Sequence, residues 1–384
     1  MQKSFSKQDT QAMKGVAILL LFAHHLFFAT EQYVNYWIYY TFSDEFNITA
    51  RIADYAKMCV PMFVLLSGYG LTHAYERWIA KGKSKISFVA DRYLSLWGGF
   101  VVIFGLGLLA GVYFDRSVAS IYGNSIGAWL FAVLDGVGLA GVFFTPTANV
   151  TWWYMSFAIV HILLFPLLYG LVKRYGLVAP LMVVGMIYLG LNGYNLIMMS
   201  FAVLGIYLAK RQGFERMRKW QPLRWKPGAK ALKFVLYILA LWVVTVMCQH
   251  LPETFNGDGL SKGTYFRYWG LGIFGTLLMF FLYEFVLPLK PIRVVLAFLG
   301  AHSANLFMMH TFFYHYFFED YYYSFEEPEL ILGMLLVTTL TASFVLELVK
   351  KWSRYDKGMA KLRIWLAEKL NRKDEELLPE QAEG

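Results

Sequence analysis

Residues 12–30 of the chain read AMKGVAILLLFAHHLFFAT. This stretch is about as long as the roughly 20 apolar residues that an α-helix needs to cross a bilayer, and it contains two adjacent histidines, His24 and His25. No small-residue cleavage site follows the apolar run. The stretch therefore predicts a retained membrane helix and not a removed signal peptide.

The rest of the chain has the same character. Of its 384 residues, 58% are hydrophobic and only 16% are charged, with a mean hydropathy of +0.46. A soluble chain rarely is so apolar. We predict an all-α polytopic membrane protein with about ten transmembrane helices, which lie near residues 12–30, 55–76, 93–112, 150–171, 176–193, 195–210, 231–250, 266–287, 294–318 and 330–349.

The basic residues predict the orientation of the chain. Most of the 35 Lys and Arg residues fall in segments that are cytoplasmic if the N-terminus is cytoplasmic, as the positive-inside rule requires. An even number of spans then places both termini in the cytoplasm. The net charge of +9 follows from this topology and gives no support to nucleic-acid binding.

The chain divides into a transmembrane domain, residues 1–350, and a cytoplasmic segment, residues 351–384. Apolar residues from Trp352 to Leu370 recur at helical spacing with Lys and Arg between them. This pattern predicts an amphipathic helix on the inner leaflet, in contact with membrane lipid. The acidic sequence beyond Arg372 lacks periodicity, and we expect it to be disordered.

Ionisable and hydroxyl side chains inside the predicted spans are candidates for function, because desolvating them is costly. His24 and His25 lie about 15 Å into the bilayer, near its middle. Ser67 and Ser303 lie at a similar depth, and His310 lies about 10 Å nearer the outer face. Helix packing explains each of these residues equally well when it is taken alone. Their shared depth is the signal for function.

Basic residues at the cytoplasmic ends of the first three spans are candidates for binding an anionic cofactor. Lys14 begins the first span, Arg77 ends the second and Arg92 begins the third. Basic side chains and helix N-termini are what phosphate groups require, although positive-inside anchoring alone explains most of these residues. We rank Lys14 and Arg92 first, because their helix starts face the predicted core.

Four segments of the chain have a likeness to a known family. They are KGVAILLLFAHH at residues 14–25, VPMFVLLSGYGL at 60–71, NVTWWYMSFAIVHILLFPLL at 149–168 and LGAHSANLFMMHTFF at 299–313. In order and spacing they resemble the acyltransferase 3 family of bacterial membrane proteins, which modify cell-surface glycans and lipids. The family's ten-helix architecture agrees with the predicted spans.

The resemblance implies roles for individual residues. In the family's opening helix a basic residue precedes a key histidine by eleven positions, and this match selects His25. Ser67 matches the serine of a Ser-Gly pair in the second helix, and Trp153 lies in the Trp-led fourth helix. Ser303 and His310 match the serine and histidine of the late helix. These two residues and Trp153 are candidates for binding the acceptor, and His310 is also a candidate catalytic residue.

The resemblance also implies the reaction. The donor is acyl-CoA, with acetyl-CoA expected, and it arrives from the cytoplasm. The acceptor is a hydroxyl of an extracytoplasmic glycan or lipid-linked sugar. His25 would act as general base in the bacterial cytoplasmic membrane, and His24 or Ser67 would orient it or donate to the oxyanion. A transiently acylated histidine or serine is an open alternative. No metal is expected.

A solute transporter or flippase is the alternative class of protein, since it would also use polar residues at the midplane. No internal repeat is visible in the sequence, and few acidic residues lie at depth, so a transporter is disfavoured. Consumption of a thioester by the purified protein distinguishes the two classes. The sequence leaves the oligomeric state open.

Overall fold

The structure is a computed structural model that describes residues 5–28, 48–189, 193–250, 255–256, 259–260 and 262–376. Nearly all of this part is helical. The helices are α1 Lys7–Phe27, α2 Ile48–Ala56, α3 Cys59–Ile79, α4 Lys85–Tyr113, α5 Val118–Tyr122, α6 Ile126–Gly136, α7 Ala140–Phe143, α8 Trp153–Tyr175, α9 Val178–Gly185, α10 Gly193–Arg211, α11 Gly213–Lys219, α12 Lys226–Gln249, α13 Lys262–Phe281, α14 Lys290–Thr311, α15 Glu319–Tyr323, α16 Pro328–Trp352 and α17 Tyr355–Glu376.

Short segments of other geometry extend several of these helices. A 3₁₀ turn, Val150–Trp152, leads into α8, and a second, Met186–Leu189, follows α9. π-helical segments continue α13 over Leu282–Val286 and α14 over Phe312–Phe317. Two strands of two residues each form an antiparallel pair and are β1 Phe255–Asn256 and β2 Gly259–Leu260.

Eight helices in the described part of the chain are long and apolar enough to cross a membrane. They span Lys7–Phe27, Lys85–Tyr113, Val150–Tyr175, Gly193–Arg211, Lys226–Gln249, Gly263–Val286, Lys290–Phe317 and Pro328–Trp352. Each overlaps one of the ten predicted spans. The structure therefore confirms an all-α polytopic membrane protein.

The two remaining predicted spans have a different form. α3 has 21 residues, as many as α1, but it is not among these eight, and its second half contains polar residues such as Thr72, His73 and Glu76. The predicted span at residues 176–193 begins with α9, which has only eight residues, and the chain then tightens into a 3₁₀ turn. By length and composition, the described residues thus contain eight candidate spans.

A capping box fixes the start of α1. The Ser6 hydroxyl accepts a hydrogen bond from the Asp9 backbone N–H at 3.2 Å, and the Asp9 carboxylate accepts one from the Ser6 N–H at 2.9 Å. Asp9 also lies 3.7 Å from Arg293, near the start of α14. These contacts satisfy N–H groups that the helix leaves unpaired, and they tie the beginnings of α1 and α14 together.

Glycines let two pairs of helices cross with their backbones in contact. A Cβ on Gly15 of α1 would lie 2.0 Å from the Leu296 carbonyl oxygen of α14, and one on Gly300 would lie 1.8 Å from the Gln11 carbonyl oxygen. A second, equally close crossing joins α3 to α10 and is made by Gly68 and Gly205. Small residues at crossings are the usual basis of close helix packing in membranes.

The chain forms two compact units. The first consists of Met1–Thr72 and Leu168–Ala304, and the second of His73–Leu167 and Asn305–Gly384. Both cysteines of the chain, Cys59 and Cys248, belong to the first unit, where they are buried free thiols.

The second unit has an aromatic core and a docked C-terminal helix. Trp152 packs edge-on against Phe100 at 4.8 Å and Phe312 at 5.6 Å, and its indole N–H donates to the Met308 carbonyl at 3.1 Å. α17 packs along α4, and the Tyr355 hydroxyl donates to the Gly98 carbonyl at 2.9 Å. The predicted C-terminal helix is present and continues to Glu376. Residues 377–384 lie outside the described residues.

Candidate active site

One face of α1 contains both the candidate base and the candidate donor-binding residue. Lys14, Ile18, Leu21 and His25 follow one another at spacings of four, three and four residues, so they share a face of the helix. Ile18 and Leu21 are fully buried, and Lys14 and His25 are half-buried. The face points into the protein. Eleven residues make three turns, so Lys14 and His25 are aligned and about 16 Å apart along the axis.

His24 lies on a different face and has a different environment. It follows Lys14 by ten residues, which turns its side chain about 80° away from the Lys14 face. Its Nδ1 lies 2.8 Å from the Ala53 carbonyl oxygen of α2, and the ring is buried. A carbonyl only accepts, so Nδ1 is the donor in this bond. The two histidine rings are 5.2 Å apart.

Ser67 differs from the other small hydroxyl residues inside the first unit. Thr72 donates to the Gly68 carbonyl at 2.8 Å, Ser200 to Ile197 at 2.6 Å and Ser303 to Gly300 at 2.9 Å. Such bonds within a helix are the common structural use of a buried hydroxyl. Among the residues that the structure describes, Ser67 makes no hydrogen bond of this kind, and it is half-buried. Its hydroxyl can therefore bond a substrate.

The three candidate acceptor residues have structural contacts of their own. Ser303 is buried and bonded to its own helix, as described above. His310 belongs to the second unit, is fully buried, and has Nδ1 2.7 Å from the Phe307 carbonyl oxygen. Trp153, also in the second unit, is half-buried at the start of α8. The neighbouring Trp152 is the buried one of the pair.

The three candidate phosphate-binding residues differ in their partners. Lys14 forms no ion pair with any carboxylate of the described residues. Arg77 is exposed at the end of α3. Arg92 is paired with Asp91, and this carboxylate also accepts a hydrogen bond from Arg363 of α17 at 2.9 Å. Because Asp91 already balances the charge of Arg92, Lys14 is the stronger candidate.

Two ionic contacts in the first unit were not predicted from the sequence. The Lys233 ammonium lies 2.5 Å from the Glu284 carboxylate, and both side chains are almost fully buried. Arg267 is paired with Asp54. Asp54 is the residue directly after Ala53, whose carbonyl binds His24. The sequence signal for the first contact was a lysine and a glutamate within spans, where a charge requires a partner.

A buried carboxylate outside the candidate spans is fully bonded. Asp135, at the end of α6, accepts hydrogen bonds from the Tyr122 hydroxyl at 2.7 Å, the Thr147 hydroxyl at 2.9 Å and the Ala148 N–H at 2.6 Å. Burial raises the pKa of Asp135, and the three hydrogen bonds oppose that rise. The residue ties the loop before α8 to α6 and is not free to bind a substrate.

Within the described residues, no three His, Cys, Asp or Glu side chains are close enough together to hold a metal ion. The chemistry available on α1 is that of an imidazole, an ammonium group and, on α3, a free hydroxyl. These groups suit proton transfer and the binding of an anion.

The eight long apolar helices of the described residues are those of an integral membrane protein. The family model described as an acyltransferase domain matches residues 9–348, most of the 384-residue chain. The chain belongs to the acyltransferase 3 family, and it is a membrane acyltransferase. Neither the curated proteins nor the solved structures gave a match.

Proposed function

We propose that this acyltransferase moves an acetyl group from cytoplasmic acetyl-CoA to a hydroxyl of a glycan or lipid-linked sugar beyond the bacterial cytoplasmic membrane. Both termini are then cytoplasmic. The observation that supports the proposal most is the buried face of α1. It carries a cation near one end of the span and an imidazole about 16 Å further along the same face. This spacing suits a donor that is held at the membrane surface and reacts at depth.

In the proposed reaction His25 is the general base. Its imidazole takes the proton of the acceptor hydroxyl as that oxygen attacks the thioester carbonyl. The C–S bond then breaks, the acyl group stays on the acceptor oxygen, and the coenzyme A thiolate takes the proton back from the imidazolium. The free Ser67 hydroxyl donates to the oxyanion. His24, held by the Ala53 carbonyl, positions the neighbouring ring.

Donor and acceptor binding are assigned to different residues. The Lys14 ammonium attracts the phosphates of coenzyme A. Arg77 and Arg92 stay candidates from the sequence. Trp153, Ser303 and His310 each stay a candidate for acceptor binding on the strength of the family resemblance. Indole and imidazole rings are typical partners for the apolar faces and hydroxyls of a sugar.

Replacing His25 tests the assignment of the base. We expect His25→Ala to lower the release of coenzyme A from acetyl-CoA by about 100-fold or more, because general bases contribute 10²- to 10⁴-fold. The measurement uses purified protein in proteoliposomes with an acceptor supplied, together with a thermal unfolding curve. His302→Ala is the matched control on α14 and should stay within about twofold.

Activity of His25→Ala close to that of the wild type would remove His25 from the chemistry. A wild-type protein that moves a solute across the liposome without releasing coenzyme A would be a transporter, and the proposed reaction would be wrong. Mass spectra of surface glycans from cells with and without the protein should differ by one acetyl increment.

Replacing Lys14 tests the donor site. We expect Lys14→Gln to raise the KM for acetyl-CoA about tenfold with little change in kcat, since a phosphate contact acts on ground state and transition state alike. Lys14→Arg keeps the charge and should restore most of the affinity. An equal loss in kcat for both variants would show that Lys14 supports the fold or the chemistry and not donor binding.

A further inference from the structure

Two pairs of basic residues meet at the ends of α8 and α10. Lys173 and Arg174 occupy the last turn of α8, and Lys210 and Arg211 occupy the last turn of α10. All four line one cavity of about 520 Å³, here called the basic cavity, together with two tyrosines, Tyr175 and Tyr207. No acidic side chain is among the described residues that line it. The cavity therefore presents a concentrated positive charge.

The dipoles of α8 and α10 account for cations in the last turns of these helices, but not for a shared cavity. Lys210 is held in place, because its ammonium donates to the Tyr169 hydroxyl at 2.9 Å and lies 4.5 Å from the centre of that ring. Lys173 and Arg174 are exposed on the other wall. Lys210 is thus held in place while Lys173, Arg174 and Arg211 are accessible, and this arrangement suits the binding of an anion.

An apolar groove begins where the basic cavity ends. Leu177 follows Gly176 of the cavity wall directly, and it opens a groove of about 240 Å³ between α9, α10 and α13. The groove is lined mainly by Pro180, Leu181, Phe201, Leu204 and Ile273.

α10 supplies a continuous face to the basic cavity and the apolar groove. Leu204 of the groove and Tyr207 of the cavity are three residues apart on α10, so they are neighbours on one face of the helix. Leu204 of the groove and Arg211 of the cavity are seven residues apart, so that face runs about 10 Å along the helix axis. A single elongated ligand could thus place its charge in the cavity and its chain along the groove.

We propose that the basic cavity and the apolar groove together bind one anionic glycerophospholipid, with its phosphate in the cavity and a fatty acyl chain in the groove. Basic pockets between membrane helices are suited to anionic headgroups, and the exposed side chains of Leu177 and Leu181 border the groove with lipid-facing surface. A short-chain acyl-CoA fits this pair of features less well, because it has no alkyl chain for the groove.

The test measures lipid retention by the full chain. Purified protein is offered phosphatidylglycerol or phosphatidylcholine with identical dioleoyl chains, and bound lipid is counted by native mass spectrometry. We expect the wild type to retain phosphatidylglycerol at least about tenfold more strongly. Lys173→Gln with Arg174→Gln should remove most of that preference, since each basic side chain near an anionic lipid contributes measurably to binding.

Two further variants separate the contributions. Arg224→Gln with Lys226→Gln removes the same charge from exposed residues of the first unit that do not line the cavity, and it should leave retention unchanged. Leu204→Trp fills the groove without changing charge and should weaken retention of phosphatidylglycerol. Thermal unfolding of each variant without added lipid shows whether the fold is intact.

Specific results would overturn the assignment. Equal retention of the two lipids by the wild type, or equal losses in the cavity variant and its control, would exclude an anionic-lipid site. Displacement of phosphatidylglycerol by acetyl-CoA, at concentrations near the KM for acetyl-CoA, would assign the cavity to the donor. If glycerol phosphate alone displaced phosphatidylglycerol and Leu204→Trp had no effect on retention, the cavity would be a simple anion site that does not use the groove.

Discussion

The two adjacent histidines of α1 differ in what surrounds them. His24 is buried and bonded to the Ala53 carbonyl, whereas His25 shares the Lys14 face and is half-buried. A ring that is fixed by a backbone carbonyl suits positioning, and a ring that is partly accessible suits proton transfer. We therefore assign the first histidine to positioning and the second to proton transfer.

Replacing His24 separates positioning from chemistry. The amide nitrogen of Asn takes nearly the place of His Nδ1, so His24→Asn keeps the donor to Ala53, while His24→Ala loses it. We expect kcat to fall about 10- to 100-fold in His24→Ala, because small misplacements of a base are costly, and to recover substantially in His24→Asn. The measurement is kcat and KM for acetyl-CoA in both variants. Equal losses would instead give His24 Nε2 a direct part in the reaction.

At this scale the sequence predicts which residues share a helix face better than it predicts their contacts. The family resemblance selects His25, eleven residues after Lys14, and helix geometry then places both on one face. The bond from His24 to Ala53 joins residues 29 positions apart, with residues 29–47 between them outside the described part, and no local pattern predicts it. The ion pair between Arg92 and Asp91, by contrast, joins neighbouring residues, so the sequence alone could have indicated it.

The glycines at the helix crossings should be sensitive to substitution, because the backbones of the two helices are in contact there. A methyl group on Gly15 would meet the Leu296 carbonyl of α14, and backbone cannot yield as a flexible side chain can. We expect Gly15→Ala to destabilise the protein by about 1–3 kcal/mol, the usual cost of overpacking. The measurement is the thermal unfolding midpoint in detergent.

Gly170→Ala of α8 is the matched control for this substitution. No atom lies within 4 Å of the place where its Cβ would stand. Alanine is also the better helix former, so the control should be neutral or slightly stabilising. An equal loss of stability in both variants would mean that the crossing of α1 and α14 is looser than its geometry indicates.

The described helices follow some of the ten predicted spans more closely than others. α3 is as long as α1, but it combines an apolar half with polar residues towards its end, so length and composition give different answers. The segment after α8 is apolar throughout, yet the chain there forms a short helix and a 3₁₀ turn. Hydropathy indicates whether a segment lies in an apolar environment, but it does not determine whether its backbone forms one long helix.

At the scale of the whole molecule, α17 is a structural part of the second unit. Besides the bond from Tyr355 to Gly98, Arg363 reaches the buried Asp91 of α4 at 2.9 Å. The Ser84 N–H, at the start of α4, donates to the Asn371 side chain at 2.9 Å. The amphipathic pattern predicted a helix here, but the sequence did not show that its inner face packs on α4.

Removing the Arg363 charge should loosen this unit selectively. We expect Arg363→Gln to lower stability by about 1–2 kcal/mol, because Asp91 loses a charged hydrogen bond while keeping Arg92. Hydrogen exchange measured by mass spectrometry should rise in peptides of α4 and α17 and stay unchanged in those of α1 and α10. Lys361→Gln, on the exposed side of α17, is the control. Faster exchange throughout the chain would show that the two units unfold together.

The burial of both cysteines has a practical consequence for mapping this protein in its native membrane. Cys59 and Cys248 are the chain's whole supply of thiols, and neither is open to a bulky reagent. A single cysteine placed in any loop would thus be labelled against a silent background. Impermeant maleimides applied to intact cells would then show on which side of the membrane each loop lies. The two buried cysteines would not have to be replaced first.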